Sequence, residues 1–460
     1  MVWTAAAASH RAIAAAMQTP EPPDFTSPAF LLAHAHACME WFSRPACLDE
    51  RSSGCPGSGG WYHSYRDDGS VVDEDVRHLV SSTRLVVQYS WALRRFPAEA
   101  ARWSALLARS FAFLGAHRAA SAGGGGGGGG GHAWTFSVSR AGAIEQADAT
   151  NYAYGLAFSL LACASAARAG LAGAAVAADE VMATLSSRLW EPAHSLYADE
   201  ADARWARLSP YRGQNANMHA CEAHMAAFAA LRQPRHLARA RAIARAMCVR
   251  QAGRVAAATG HALVYEHYSA DWQPDLEYNR DKPDDRFKPW GFQPGHLLEW
   301  AKLLLQLQAL AGEDDGEGGA DSPAERAWRV PAARALFEGA LAGWDEARGG
   351  FVYSLAPPSA RGGALAWCNA RKYKWVQLEG AVAARLLARA LPAEAPFFMG
   401  WYQKIWAYCW AHMIDHVHGG WFRALNADNS KIDDLKSPPG KVEYHATGAC
   451  YDIIDAAVEI

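Results

Sequence analysis

A histidine and a glutamate at the start of an apolar helix are the first residues whose types and spacing suit chemistry. The stretch Pro289–Trp300 is a glycine- and proline-rich turn that runs directly into this helix. His296 therefore falls in the first helical turn, beside unpaired backbone N–H groups and the positive end of the helix dipole. Glu299, three residues later, shares its face and can orient or charge the imidazole. Such a histidine suits proton transfer near neutral pH, although a helix cap with a buried histidine would give the same pattern.

A second predicted helix, 215–231, carries three polar residues close together on one face. Asn215 and His219 are four residues apart, and Glu222 follows along the same stripe. Polar side chains on an otherwise apolar helix are costly to bury unless they find hydrogen-bond partners. Each residue alone is explained by a structural hydrogen bond, but the set of three indicates a site that faces a cavity.

Two further candidates lie far apart in the chain. Arg84 stands beside the apolar run Leu85–Val87, and a buried arginine needs an anionic partner, either a carboxylate or a ligand oxygen. The alternative is an arginine whose stem reaches the surface. His445 sits at the start of the last predicted helix, close to Glu443, as His296 does in its own helix. Two such histidines, each with a nearby carboxylate, can face each other across a pocket.

Other histidine pairs predict no metal site. His34 with His36, and His416 with His418, are spaced two apart, so on helices their side chains point away from each other. The chain has no His-Glu-x-x-His motif and no Gly-x-Ser-x-Gly elbow. Paired carboxylates for glycoside hydrolysis stay open, because helical barrels also host glycosidases.

Composition narrows the class of protein. The 460 residues are half hydrophobic, and 44 basic against 47 acidic residues give a net charge of −3. The chain has no long block of one charge sign that would indicate nucleic acid as a partner. No apolar run approaches the roughly 20 residues of a membrane span. The 19 tryptophans and 16 tyrosines suit a concave site that stacks on sugars, although most of them must form the core.

Nine cysteines without a Cys-x-x-Cys pair indicate reduced thiols, and we therefore expect a cytoplasmic protein. The segment 1–17 is alanine-rich, with Arg11 and no acidic residue. It is interpreted as a frayed first helix, with an organellar transit peptide as the alternative.

Apolar spacing of three and four residues dominates the chain and predicts an all-α protein. Short glycine–aromatic motifs, such as Gly349–Tyr353 and Gly419–Phe422, recur between alternate helices and indicate hairpins. Twelve helices with long loops on one side fit an (α/α)6 barrel with short β-hairpins in those loops, although a linear solenoid would give the same local signal. The predicted helices are 28–43, 74–96, 98–117, 149–169, 172–189, 215–231, 234–250, 296–311, 322–343, 371–391, 395–417 and 441–458.

We expect a frayed or targeting segment at 1–27 and a single catalytic barrel domain at 28–460. The segment 119–131 ends in nine consecutive glycines, Gly123–Gly131, and is predicted to be a flexible insertion.

In these motifs the chain resembles the N-acylglucosamine 2-epimerase superfamily, and within it the aldose–ketose isomerase branch of the mannose isomerases. The resemblance runs from about Gly59 to the C-terminus. It is carried by Tyr211–His219, Glu277–Asp281, Pro289–Trp300 and the pair Tyr444-His445. It implies an (α/α)6 barrel in which two histidines move a sugar proton without a metal or another cofactor.

Residue by residue, the resemblance implies that His296 and His445 form the acid–base pair, that Glu299 supports His296, and that Arg84 stabilises developing negative charge. The substrate-binding residues it implies are Asn215, His219, Tyr154, Arg286, Trp375 and Glu379, and the helix-face pattern adds Glu222 to them. The family commonly has a histidine where this chain has Leu156, which leaves the contacts on that wall open.

The expected function is isomerisation of mannose to fructose by proton transfer at C2 of an open-chain aldose, through an enediolate. The alternative is 2-epimerisation of N-acylglucosamine or a disaccharide. Two further hypotheses come from other functional classes: a glycoside hydrolase on the same barrel and a non-catalytic sugar-binding scaffold. The expected partner is a small monosaccharide, with neither nucleic acid nor membrane, and the chain is expected to be a monomer or a homodimer.

Overall fold

The computed structural model describes residues 20–49, 60–123, 134–139, 150–285, 287–312 and 322–457. These residues form fourteen α-helices. Helices α1 to α7 span Pro28–Phe42, Leu79–Arg95, Ala100–Gly123, Ala153–Arg168, Ala174–Arg188, Gln214–Leu231 and Pro234–Arg245. Helices α8 to α14 span Ala252–Thr259, Pro294–Gly312, Pro323–Ala327, Arg329–Ala340, Lys374–Ala390, Ala395–Tyr408 and Tyr444–Ala457.

Six of these helices form a closed inner ring. In order around the ring, α2, α4, α6, α9, α12 and α14 each contact the next, and α14 contacts α2. An outer helix packs against each inner one: α3 on α2, α5 on α4, α7 on α6, α11 on α9, α13 on α12 and α1 on α14. The prediction of an (α/α)6 barrel is therefore confirmed, and the contact between α14 and α2 distinguishes the ring from a linear solenoid.

The predicted hairpins are present, and further strand pairs join separate loops. Trp344 bridges Phe351 and Ile414 bridges Trp421, so both predicted glycine–aromatic motifs lie in hairpin turns. The fourteen described strands are β1 Tyr65–Arg66, β2 Val76–His78, β3 Ser137–Ser139, β4 Asn151–Tyr152, β5 Trp190–Glu191, β6 Leu196–Tyr197, β7 Glu200–Ala201, β8 Arg212–Gly213, β9 His267–Tyr268, β10 Ser354–Ala356, β11 Ala366–Asn369, β12 Lys372–Tyr373, β13 Ala424–Leu425 and β14 Leu435–Ser437. They form seven antiparallel pairs, and β1 pairs with β14 across almost the whole chain.

These strands also explain why several inner helices begin later than predicted. Helix α2 begins at Leu79 rather than residue 74, because 76–78 pairs with 137–139. Likewise, α12 begins at Lys374 because 372–373 pairs with 424–425. Backbone that is fixed in a strand cannot also close the first helical turn, so the strand sets where each inner helix starts.

A repeated buried ion pair ties the loops to the inner helices. Asp345 pairs with Lys372 at 3.0 Å, and Asp415 pairs with Lys436 at 2.7 Å; all four side chains are almost fully buried. Arg77 and Asp49, 2.7 Å apart, make the same arrangement before α2. In each case the basic residue lies in the strand before an inner helix. Each charge is buried with its partner, so the pairs hold the loops in one geometry.

The predicted division at residue 27 stays a prediction. Packing extends further back than that boundary, since Phe25 is buried and stacks on Trp406 with ring centroids 5.5 Å apart. Helix α3 extends to Gly123, so residues 119–123 of the predicted flexible insertion are helical. Residues 124–131 and segment 1–17 lie outside the described residues. The eight described cysteines are free thiols. No described helix combines the length and the apolarity that crossing a bilayer requires.

Candidate active site

A polar pocket lies at the end of the barrel where the inner helices begin, and every inner helix contributes to it. Its lining residues are Arg84, Tyr154, Asn215, His219, Phe287, Pro289, Gln293, His296, Glu299, Tyr353, Trp375, Lys441 and His445. Eight of the residues predicted from the sequence are among them. Segments far apart in the chain thus meet at one cavity, as the two-histidine hypothesis requires.

His296 is oriented by Glu266, and the prediction that Glu299 holds it is wrong. Its Nδ1 lies 2.9 Å from both carboxylate oxygens of Glu266. A carboxylate accepts hydrogen bonds, so Nδ1 carries the hydrogen and Nε2 keeps its lone pair. Gln214 also donates to Glu266, and its own amide oxygen accepts from Trp300 at 2.7 Å. Glu266 is therefore fixed from two directions and fixes the tautomer of His296 in turn.

His445 is held in the same way by Glu379, which the sequence placed among the sugar contacts. The Nδ1 of His445 donates to Glu379 Oε1 at 2.7 Å, so Nε2 carries a lone pair, which faces Arg84 Nη2 at 3.5 Å. Burial, followed by the positive charge of Arg84, lowers the pKa of His445 well below its usual value. The imidazole is accordingly neutral at neutral pH and can act as a base.

The indole of Trp375 contacts both His296 and His445. Its ring centroid is 5.0 Å from that of His296 and 5.8 Å from that of His445. Gly295 makes this position available, because a Cβ atom there would lie 2.4 Å from the indole. Trp375 therefore packs against both imidazoles and gives the pocket a flat apolar wall on which a sugar face can stack.

Arg84 is almost fully buried and reaches His445 directly. Its Nη1 donates to the carbonyl oxygen of Gly440 at 2.7 Å, and its Nη2 lies 3.5 Å from His445 Nε2. The guanidinium also lies over the rings of Phe158 and Tyr444. This planar cation is thus held in one orientation beside His445, where it can bind a ligand oxygen.

Glu299 points to the floor of the pocket rather than to His296. Burial, followed by the charge of Glu379, raises its pKa well above the usual value, so we treat it as a neutral acid. The ligand atoms of Glu299, Glu379 and His445 lie within 4.8 Å of one another, a spacing that suits a metal ion. Lys302, however, places its ammonium 2.7 Å from Glu379 and 3.8 Å from Glu299, where such an ion would bind.

The other wall of the pocket contains Asn215, His219 and Tyr154. The side-chain oxygen of Asn215 is buried and has no protein hydrogen-bond partner, so it is available to a ligand. His219 donates from Nδ1 to Glu222 at 3.0 Å, and burial lowers its pKa to about 4. Glu222 also accepts from the Tyr444 hydroxyl, and it lies behind the wall rather than in the pocket.

Two further sequence predictions concern Arg286 and Leu156. Arg286 lies outside the described residues, so its predicted contact with the sugar stays a prediction. Leu156, where the family commonly has a histidine, is buried in the hydrophobic core.

Sequence reasoning missed Glu266, Lys302, Lys441, Gln293 and Tyr353. Glu266 stands thirty residues before the histidine that it orients, in a loop without periodicity. Only the strand pairing of β8 with β9 brings it beneath the start of α6, where its carbonyl accepts from the Gln214 N–H at 3.1 Å. Lys302 looks in the sequence like an ordinary charge on a helix.

Residues 60–449 match the family model of N-acylglucosamine 2-epimerase (GlcNAc 2-epimerase). The chain belongs to this family. The D-mannose isomerase of Marinomonas mediterranea is 38% identical over 433 residues, which cover 94% of this chain and 98% of that protein. The D-mannose isomerase of Thermobifida fusca is 33% identical over 312 residues, which cover 67% of this chain and 68% of that protein.

Solved structures agree with this assignment. A crystal structure of D-mannose isomerase superposes with a TM-score of 0.81 at 38% identity, covering 95% of this chain and 100% of that chain. The cellobiose 2-epimerase of Spirochaeta thermophila superposes with a TM-score of 0.71 at 19% identity, covering 94% of this chain and 98% of that chain. At that identity the second likeness shows the fold alone.

Proposed function

We propose that this chain is an aldose–ketose isomerase that converts mannose to fructose with side chains alone as its acids and bases. One observation carries the proposal: two imidazoles, each fixed at Nδ1 by a buried carboxylate, present Nε2 to one pocket beside a buried arginine. Similarity to D-mannose isomerases along nearly the whole chain supports the choice of mannose.

The proton on C2 of an open-chain aldose is weakly acidic, so a base and a stabilised oxyanion are both required. Neutral His445 accepts this proton at Nε2, and the electrons of the C–H bond form the enediolate. Arg84 lies against the developing negative charge on the sugar oxygen. His445 then returns its proton to C1, while His296 moves a proton between the two oxygens, which yields the ketose with no net gain or loss of protons.

Ring opening uses the same groups. It requires one acid at the ring oxygen and one base at the anomeric hydroxyl, and the two imidazoles supply both. Asn215 and His219 bind hydroxyl groups on the opposite wall, and Trp375 supports the sugar face.

The second candidate is 2-epimerisation. It is favoured by the presence of two histidines against the same indole, because proton delivery to C2 by a second imidazole from the opposite face of the sugar would invert that centre. Glycoside hydrolysis needs two carboxylates in the pocket, roughly 5 to 10 Å apart. Among the described lining residues Glu299 is the only acid, so the site does not support the hypothesis of a glycoside hydrolase.

Incubation with mannose in D₂O, followed by NMR spectroscopy of the sugars, tests the proposal. Fructose formation with deuterium at C1, or with protium transferred from C2 to C1, supports the isomerase, and glucose formation supports the epimerase. His296→Gln and His445→Gln should each lose at least about a hundredfold in kcat while staying folded. No sugar product from the wild-type protein would overturn the proposal, and a variant with near-full rate would remove that histidine from the mechanism.

A further inference from the structure

A buried lysine lies directly behind the base of the site. Lys302, on α9, is only 5% exposed, and its ammonium lies 2.7 Å from Glu379 Oε2. The other oxygen of Glu379, Oε1, accepts the Nδ1 hydrogen of His445. Three inner helices thus contribute one row of contacts, from Lys302 through Glu379 to His445, that ends at the substrate pocket.

The same lysine faces a second cavity, of about 740 Å³, on the far side of the pocket floor. Lys302, Glu222, Glu379 and Asp452 line this rear cavity, and His445 lines both cavities. Polar groups around so large a space can be hydrated, which lowers the cost of keeping an ammonium inside the barrel. The proposed reaction does not bring Lys302 into contact with the sugar, so a charged side chain buried at this position needs another explanation.

We propose that Lys302 is a positioning residue that neutralises Glu379 and thereby keeps His445 neutral, with the lone pair on Nε2. The inference rests on the proposed function, because it explains how the base stays available. Without Lys302, the carboxylate of Glu379 would attract a proton to the His445–Glu379 pair at a higher pH. An imidazolium carries a hydrogen on Nε2 and cannot accept the proton from C2.

The surrounding charges agree with this role. Arg84 and Lys441 face His445 from the pocket side, and their positive charges also lower its pKa. Glu222, Glu299 and Asp452 face Lys302 from α6, α9 and α14, and the carboxylate of Glu379 is the largest charge that raises the pKa of Lys302 against the effect of burial. The ammonium is therefore charged throughout the working range of pH, and it is the cation that contacts Glu379.

The test compares Lys302→Gln, which removes the charge, with Lys302→Arg, which keeps it. The readouts are the pH profile of kcat/KM for mannose and the pH titration of the His445 ring carbon by ¹³C NMR, assigned with His445→Gln. Lys302→Gln should move the acidic limb and the NMR titration upward by about one pH unit or more, and Lys302→Arg should keep the wild-type limb. Lys372→Gln is the matched control: it breaks the buried pair with Asp345, lowers stability and leaves the limb in place.

A wild-type limb in Lys302→Gln, or an equal shift in Lys372→Gln, would overturn the proposal. In a Glu379→Gln background, Lys302→Gln should cause little further shift, and a full further shift would disprove action through Glu379. If Lys302→Gln does not fold, Lys302→Met is titrated in its place. The NMR titration needs no turnover, so failure of this inference is distinguishable from failure of mannose isomerisation.

Discussion

Glu266 accepts the Nδ1 hydrogen of His296 through both carboxylate oxygens, each 2.9 Å away. The residues come from different segments, and neither is exposed to bulk solvent. A histidine bound in this way has one tautomer and one orientation, which is what a base or acid aimed at a single carbon atom requires.

Replacement of Glu266 by glutamine should lower kcat at least about tenfold, because the amide has no charge and can present its NH₂ group to Nδ1. Steady-state kinetics on mannose measure the loss. Glu299→Gln is the matched control, since Glu299 is already neutral by its raised pKa and an amide reproduces a protonated carboxyl. Equal losses in the two variants would contradict the assignment of Glu266 to His296.

Replacement of Gly295 by alanine should displace Trp375 and lower kcat at least about tenfold. The added Cβ would lie 2.4 Å from the indole and 2.8 Å from Val376 Cγ2, so the indole wall against the histidines must move. Gly400→Ala, on α13, is the matched control because nothing lies within 4 Å of its added Cβ. An active Gly295→Ala enzyme would show that the packing of Trp375 against the histidines is unimportant.

Arg84→Lys should lose at least about a hundredfold in kcat/KM although the charge is kept. One ammonium cannot donate to the Gly440 carbonyl and also lie against His445, as the guanidinium does. Arg94→Lys, an exposed position on the same helix, should keep the wild-type rate. Near-wild-type turnover by Arg84→Lys would mean that a point charge is sufficient.

Stability should fall as the pH falls from about 6.5 toward 4. Burial lowers the pKa of His34, His117, His219 and His236 to about 4 in the folded protein. The unfolded chain binds these protons near pH 6.5, so stability is fully present above that pH and is lost as the pH falls through the window. Scanning calorimetry between pH 7.5 and 4.5 measures the trend, and His117→Gln should reduce its slope. A constant Tm across this range would contradict the prediction.

The sequence predicted the barrel because helical periodicity and glycine–aromatic turns are local signals that twelve helices repeat. It located both histidines because each follows a recognisable helix start. The residues that orient the two histidines were harder to predict from the sequence. Spacing favoured Glu299 as the partner of His296, yet in the structure the ring turns toward the preceding loops and Glu299 faces inward. Glu266 and Lys302 matter only through contacts between distant segments, which no local pattern reveals.

The contact between α14 and α2 has a consequence for how activity is acquired. The last helix supplies His445, and its docking against the second helix completes the wall of the cavity. A nascent chain that has emerged only to residue 440 contains His296 but lacks His445. Such long-range closure is slow compared with forming neighbouring helices. Turnover therefore reports that synthesis has passed the final helix and that the first and last parts of the ring have met.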